Sequence, residues 1–259
     1  MILDKSIINN SEFKFILNDK YCVFTIKDFL NEKFYNDIEK SFPKFEEYMN
    51  EKIHLGEKLV SIPEDDYIFK NFLASSEIHK KLYDYFHSKN FFNFIKKKLY
   101  TKFFLSQSSL LKKIKYIRPY KLIDENYTKK FYDIFFSKIK ITIKYLYMLS
   151  DAYVGPHSDS LRKLCSLIIY FPEKNNSEDK DAGTQFWDSK LRNSSNTRIG
   201  EKDLNIFLEK SKKVIKEPFE KNRLVGFIRN DYSWHSVEKL NLPKDYFRKV
   251  IIINFLYVN

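Results

Sequence analysis

The chain has 259 residues, of which 43% are hydrophobic and 17% aromatic, so it is not a disordered segment and is long enough to bury a substantial core in one large domain. Its formal charge is +12, but the lysines are spread along the chain rather than massed, which points to a solvated basic surface more than to a nucleic-acid-binding stripe. Five glycines leave no glycine-rich phosphate cradle, and two distant cysteines, Cys22 and Cys165, exclude a disulfide framework or zinc-finger spacing and are expected as buried or free thiols of a reduced compartment.

The opening stretch MILDKSIINNSEFKF lacks the apolar run of a signal peptide. Nowhere does the chain reach the roughly 18 to 20 uninterrupted apolar residues of a membrane span. A cytoplasmic location with no membrane partner is therefore expected. The run Tyr21 to Ile26 predicts a strand. From Asp28 to about Phe104 the pattern is helical, with Asp28 or Asn31 as N-cap ahead of Phe34, Ile38 and Phe42, and Pro43 ending that helix. Ile78, Leu82, Tyr85, Phe86, Phe91, Phe92, Ile95 and Leu99 recur mainly at spacings of three and four, which predicts one or two amphipathic helices with a lysine face.

From Lys140 onward the pattern turns to strands. Ile139 to Leu149, Leu164 to Phe171, Gly183 to Trp187, Leu224 to Ile228, Trp234 to Val237 and Phe247 to Val258 are short β-branched and aromatic runs, and a succession of this kind favours a sandwich or barrel. Two polar stretches, Glu173 to Ala182 and Ser189 to Asp203, interrupt them and read as exposed loops that shape a pocket. The expected fold class is α+β with a mainly β core. Residues 1–139 form an N-terminal strand and helical support region, residues 140–259 form the core, and the two make one compact unit.

One constellation carries chemistry. His157 and Asp159 stand two apart, so an extended backbone puts an imidazole and a carboxylate on one face, and Pro156 disfavours a helix there. His235 opens a later strand and can bring a second imidazole. Two imidazoles and a carboxylate on one face leave open positions on an octahedral iron(II). Arg248 lies in the last strand, on one face with Val250, Ile252 and Asn254. Its guanidinium can hold a carboxylate through two parallel charge-assisted hydrogen bonds. A dicarboxylate such as 2-oxoglutarate would chelate iron at its keto-acid end and meet Arg248 at the other, with the arginine expected at the mouth of an apolar surface. His54, His79 and His87 read as surface or helix-face residues without a role. Phe186 and Trp187 read as core.

These stretches, YLYMLSDAYVGPHSDSLRKLCSLIIYFP (145–172), GTQFW (183–187) and RLVGFIRNDYSWHSVEKL with DYFRKVIIINF (223–255), resemble the iron(II)- and 2-oxoglutarate-dependent oxygenase superfamily, in its prolyl-hydroxylase-like branch. The resemblance covers roughly the C-terminal half of the chain, and residues 44–139 match nothing nameable. It implies a double-stranded β-helix, or jelly roll. It implies His157, Asp159 and His235 as metal ligands and Arg248 as the anchor of the distal carboxylate of 2-oxoglutarate. It also implies a supporting hydrogen bond from Tyr147 or, two residues away on the same face, Tyr145. Val250 stands where family members often carry Ser or Thr. The implied cofactors are Fe(II), 2-oxoglutarate and O2, with ascorbate as an optional reductant.

The implied reaction couples decarboxylation of 2-oxoglutarate to hydroxylation of a bound C–H. Asp159, where related halogenases carry a small residue, favours hydroxylation over halogenation. The expected partner is a small-molecule or sugar-containing substrate. The alternatives are a peptide or protein substrate, as for a prolyl-type hydroxylase, or a catalytically silent jelly-roll binding module. Nucleic acid is not expected, because Asn254 stands where demethylases of the superfamily carry a second arginine.

Overall fold

The computed structural model describes residues 2–3, 11–16, 21–44, 53–54, 58–105, 119–124, 126–128, 130–131, 135–173, 179–195, 197–243 and 246–258. The segments 45–52 and 55–57 of the stretch expected to be helical, and 174–178 of the first polar loop, lie outside them.

The N-terminal part contributes both strands and helices. β1 (Ser11–Ile16) and β2 (Tyr21–Ile26) form an antiparallel pair. Helix α1 (Glu32–Lys40) follows, capped by Asn31, whose side-chain oxygen accepts from the Phe34 amide at 3.3 Å. Asp28, the other candidate cap, instead takes a left-handed turn conformation with φ 51°. β3 (Ile53–His54) and β4 (Leu59–Pro63) interrupt the stretch expected to be helical throughout. Leu59, Val60 and Ile62 are buried there as a strand of the main sheet, because β6 offers them an open edge. Three helices come next: α2 (Tyr67–Ser75), α3 (Glu77–Phe86) and α4 (Lys89–Leu105). The apolar positions at helical spacing between 78 and 99 are buried or packed on the core as expected, with the helices divided at His87 and Ser88.

The core strands are β5 (Tyr120–Leu122), β6 (Ser137–Met148), β7 (Val154–His157), β8 (Lys163–Phe171), β9 (Gln185–Ser189), β10 (Ser211–Lys216), β11 (Leu224–Ile228), β12 (His235–Val237) and β13 (Arg248–Val258). A short helix α5 (Leu204–Glu209) precedes β10. From β6 onward the chain passes back and forth between two sheets, with β9 and β10 as paired neighbours in the same one. The larger runs β1-β2-β11-β8-β13-β6-β4-β3, with β5 beside β6, and the smaller runs β10-β9-β12-β7. Four strands of one sheet (β11, β8, β13, β6) thus face four of the other (β10, β9, β12, β7), the winding of a double-stranded β-helix. The N-terminal strands extend the same large sheet, with β2 hydrogen-bonded to β11 and β4 to β6.

Strand periodicity sorts side chains into layers. The odd residues of β6 (Ile139, Ile141, Ile143, Tyr145 and Tyr147), with Ile251, Ile253 and Phe255 of β13, pack against α1 to α4. The even residues Leu146, Met148 and Val250 join Ile168, Tyr170, Phe186 and Phe227 between the sheets. Trp187, Phe207 and Trp234 cover the other face of the small sheet beneath α5. Both cysteines are buried and free. Among the described residues no helix is long and apolar enough to cross a membrane.

Candidate functional site

A cavity of about 590 Å³ opens between the two sheets. His157 ends β7 and His235 begins β12, and the antiparallel register sets them directly opposite each other. Their ring centroids are 4.2 Å apart. Asp159 lies just past β7 rather than on it, yet still reaches the site. One ligand-type atom from each of His157, Asp159 and His235 lies within 4.8 Å of the others. The three side chains could hold one metal ion on a shared face.

Each donor is oriented by a partner. The Nδ1 of His157 donates to the Gly155 carbonyl at 2.9 Å, and the Nδ1 of His235 donates to the Ser233 carbonyl at 3.0 Å. A carbonyl can only accept, so each ring carries its proton on Nδ1 and leaves Nε2 as a lone pair. Burial, followed by the neighbouring His235, holds His157 neutral with a pKa lowered to about 3. Burial likewise lowers that of His235. Burial alone would raise the pKa of Asp159, but the neighbouring Lys163 outweighs it and holds the carboxylate ionised. Lys163 Nζ donates to Asp159 Oδ1 at 2.7 Å and Ser166 Oγ to Oδ2 at 2.6 Å. Arg229, also buried, donates to the Asp159 carbonyl at 3.0 Å and so fixes the backbone of the same loop.

The sequence reading put Arg248 at the mouth of the cavity, but it is 2% exposed and lies within the cavity wall. It begins β13 where Met148 ends β6, and the closing strands enclose it. Its Nε donates to the Ala182 carbonyl at 2.6 Å, one terminal nitrogen approaches Thr184 Oγ1 at 3.4 Å, and the other the Met148 sulfur at 3.4 Å. No carboxylate pairs with it among the described residues. A buried guanidinium in this state is costly unless an anion meets it, and it faces the same cavity as the triad.

Tyr145 and Tyr147 are not part of this arrangement. Both occupy the odd face of β6 and point to the helical layer, where Tyr147 donates to the Pro43 carbonyl and Tyr145 meets His79 Nδ1 at 2.5 Å. Arg248 pairs in register with Met148, so only even positions of β6 share its face. The neighbouring tyrosine is Tyr170 of β8, whose hydroxyl donates to Thr184 Oγ1 at 2.8 Å and accepts from the Thr184 amide at 3.0 Å. The Arg248 guanidinium also stacks 5.6 Å from the Tyr170 ring centroid.

His79 is likewise not a surface residue. It is fully buried between Tyr145 and Ser41. His87 is partly buried against Glu64 and the Ile141 carbonyl, and the side chain of His54 is outside the described set. Thr184, Ser166 and Tyr170 had no separate signal in the sequence, although Thr184 follows Gly183 within GTQFW and Ser166 lies two residues from Ile168 on the inward face.

No protein-family model and no curated protein matches the chain. Solved structures do. The non-haem alpha-ketoglutarate-dependent carbocyclase SnoK from nogalamycin biosynthesis is 11% identical, with 98% of this chain and 84% of that one covered and a TM-score of 0.47. HygX from Streptomyces hygroscopicus, with nickel and 2-oxoglutarate bound, is 8% identical, with 99% and 88% covered and a TM-score of 0.46. A Pseudomonas putida prolyl-4-hydroxylase is 16% identical over 46% of this chain, with a TM-score of 0.28, and the chain spans 51% of its length. Likeness at these scores assigns no function.

Proposed function

We propose that this chain is an iron(II)- and 2-oxoglutarate-dependent dioxygenase that hydroxylates a small-molecule substrate, with His157, Asp159 and His235 as metal ligands and Arg248 as the anchor of the co-substrate's distal carboxylate. The observation that carries this reading is the cavity itself. It joins a neutral, Nε2-presenting pair of imidazoles and an ionised carboxylate to a buried guanidinium that no described carboxylate neutralises. The donor set suits a divalent transition metal with open positions, and the guanidinium suits a dicarboxylate.

When bound, the metal and the keto acid supply the oxidising chemistry that side chains lack. The chain's own residues do the rest. Gly155 and Ser233 carbonyls hold the imidazole tautomers, while Lys163 and Ser166 hold the Asp159 carboxylate in its ionised form. Thr184 and Tyr170 buttress the guanidinium end. Leu146, Ile168, Phe227 and Val237 add apolar surface to the cavity wall. A cavity of about 590 Å³ falls within the usual range for small ligands, roughly 300 to 1,000 Å³.

The test is reconstitution without oxygen. Ferrous ion plus 2-oxoglutarate should give a weak visible charge-transfer band, and admitting oxygen should give succinate. His157→Ala should abolish both. A folded protein that takes up no stoichiometric iron overturns the reading in favour of a silent jelly-roll binding module.

A further inference from the structure

The segment that follows β9 is polar, yet it is anchored from inside the molecule. Asn193 is buried at its base. The Asn193 amide donates to the Asp231 carbonyl at 2.7 Å. Its side chain closes the segment on itself, accepting from the Thr197 amide at 3.0 Å and donating to the Thr197 carbonyl at 2.6 Å. Just beyond, Arg198 pairs with His157 as an isolated bridge, and the Ile199 amide donates to the Pro156 carbonyl at 2.8 Å. Gly155 permits that approach, since a Cβ there would sit 2.1 Å from the Ile199 carbonyl oxygen. The segment is therefore seated on the edge of β7, the strand that ends in His157.

One buried side chain reaches each part of this arrangement. Arg229 follows β11 and is 5% exposed. Its Nε donates to the Asp159 carbonyl at 3.0 Å, one terminal nitrogen donates to Asp231 Oδ1 at 2.9 Å, and the other to the Asn193 carbonyl at 3.3 Å. Ser158, between His157 and Asp159, donates its hydroxyl to that same Asn193 carbonyl at 3.2 Å. Asp231 is fully buried, and Arg192 donates to its other oxygen at 2.8 Å. Two residues on, Ser233 closes the turn by donating its hydroxyl to the Asn230 carbonyl at 2.8 Å, and its own carbonyl accepts from His235 Nδ1. The rigid guanidinium fork thus meets three segments at once: the loop of Asp159, the polar segment beside His157, and the turn leading to His235. A buried ion pair adds little net stability over apolar residues of the same volume. What this one adds is direction.

We propose that Arg229, paired with Asp231, is a positioning residue of the metal centre, and that through it the metal site and the polar segment after β9 order one another. This rests on the metal-ligand reading above. Arg229 touches no ligand atom of the triad; it holds the backbone that presents all three. Linkage makes the coupling reciprocal: whatever factor a seated segment adds to metal affinity, bound metal adds to the seating of the segment.

Two measurements without oxygen test this: ferrous affinity by competition with a chromophoric chelator, and amide hydrogen exchange with and without ferrous ion. Arg223 supplies the control. It is a second buried arginine, at the other end of β11, and its side chain bonds Thr25, Glu217 and Glu220. R229Q and R223Q should both lower the melting temperature, because each strands a buried acid. Only R229Q should lower iron affinity, by about 10- to 100-fold. In the parent, ferrous ion should slow exchange of the Asn193, Thr197 and Ile199 amides at least about fivefold, and R229Q should lose that slowing. R229K keeps the charge beside Asp231 but not the three-way fork, and should show the same two losses if R229Q does not fold. S158A removes one neutral hydrogen bond and no charge, and where neither arginine variant folds it should still weaken the slowing at Asn193. Parental iron affinity in the Arg229 variants, equal iron losses in R229Q and R223Q, or exchange at these amides that ferrous ion leaves unchanged overturns the proposal, as does unaltered slowing in S158A when that variant decides. A parent that takes up no ferrous ion overturns the metal-site reading, and this inference with it; a parent that loads iron no better than R229Q overturns this inference alone.

Discussion

His157 and His235 are cross-strand partners in the β7–β12 pair, their rings 4.2 Å apart and both turned into the space between the sheets. This relationship is a matter of register. A slip of one residue in either strand would turn its imidazole to the opposite face and abolish the site. The sheet thus places two donors from residues far apart in sequence, and the loop beyond β7 needs only to supply Asp159. Because three ligands share one ion, loss of any one should cost more than the roughly 10- to 100-fold typical of an outer partner. We expect His235→Ala and His157→Ala each to reduce iron affinity by more than about 100-fold, measured by competition with a chromophoric chelator. Retention of near-native affinity in either variant would remove that histidine from the metal site.

Arg248 predicts a different signature. It lies in the cavity without contacting the triad, and its contacts are to the Ala182 carbonyl, Thr184 and Met148. Truncating one partner of a buried, hydrogen-bonded charge pair costs about 2 to 5 kcal/mol, or at least about 30-fold in affinity. Arg248→Ala should therefore raise the 2-oxoglutarate Kd at least about 30-fold while iron affinity changes little. Arg248→Lys should recover part of the charge but not the planar fork, and so fall between the two. The two titrations, metal alone and keto acid on metal-loaded protein, separate these effects. Equal losses in both would indicate a collapsed cavity.

The tyrosines on the two faces of the large sheet should divide cleanly. Tyr170→Phe removes the hydroxyl that both donates to and accepts from Thr184 beside the guanidinium. It should weaken 2-oxoglutarate binding several-fold, about the worth of a hydrogen bond of 0.5–1.5 kcal/mol. Tyr145→Phe and Tyr147→Phe act on the helical layer, where the hydroxyls meet His79 and the Pro43 carbonyl. They should lower the melting temperature and leave 2-oxoglutarate affinity unchanged. A co-substrate defect in Tyr147→Phe would contradict the face assignment.

The carboxylate has its own support. Ser166 donates to Asp159 and to the Asn254 side-chain oxygen at 3.1 Å, and so ties the metal-facing acid to β13. A hydroxyl has one proton, so the two acceptors share it, and the carboxylate loses orientation if it is removed. Ser166→Ala should lower iron affinity by about 10- to 100-fold without abolishing it, and Ser166→Thr should restore much of the loss. Failure of Ser166→Thr to rescue would point to packing at this position rather than orientation.

How much of this could be read from the sequence depends on which interactions are local. The strand runs of β2, β6, β8, β11 and β13 were legible because each is a continuous β-branched and aromatic run. The placement of His157, His235 and Arg248 was legible because each lies at a strand end, whereas Asp159, two residues on, lies past the end of β7. The face of Tyr147 was not legible. It depends on the pairing of Arg248 with Met148, a non-local register that no single strand encodes. β4 was hidden for the same reason, since Leu59–Pro63 is a strand only because β6 leaves an edge beside it. β10, with its sequence SKKVIK, is largely exposed and lacks the apolar alternation that marks a strand. Of the two readings open for His79, surface or helix face, the surface one fails: its neighbours Lys80 and Lys81 make the segment look exposed, whereas the 3.6-residue helical period puts His79 on the buried face shared with Leu82 and Phe86.

That buried histidine yields a prediction for acid stability. Burial lowers the His79 pKa to about 4, against an ordinary 6.5, and the Ser41 carbonyl only partly offsets this. The Ser41 carbonyl accepts from Nε2, so Nδ1 accepts from the Tyr145 hydroxyl and the ring is neutral. Between pH 4 and 6.5 the unfolded chain therefore binds a proton that the folded chain does not, and stability rises with pH across this window. On acidification from neutral pH the contribution is lost progressively, reaching as much as about 3 kcal/mol near pH 4. His157 in the metal-free protein acts with the same sign, so the comparison must be made between variants. His79→Gln should be less stable than the parent at pH 7, because it disturbs the Tyr145 and Ser41 bonds. Its melting temperature should fall less steeply than the parent's between pH 6.5 and 4. Parallel melting curves across that range would show that His79 does not titrate on unfolding and would place the acid sensitivity elsewhere.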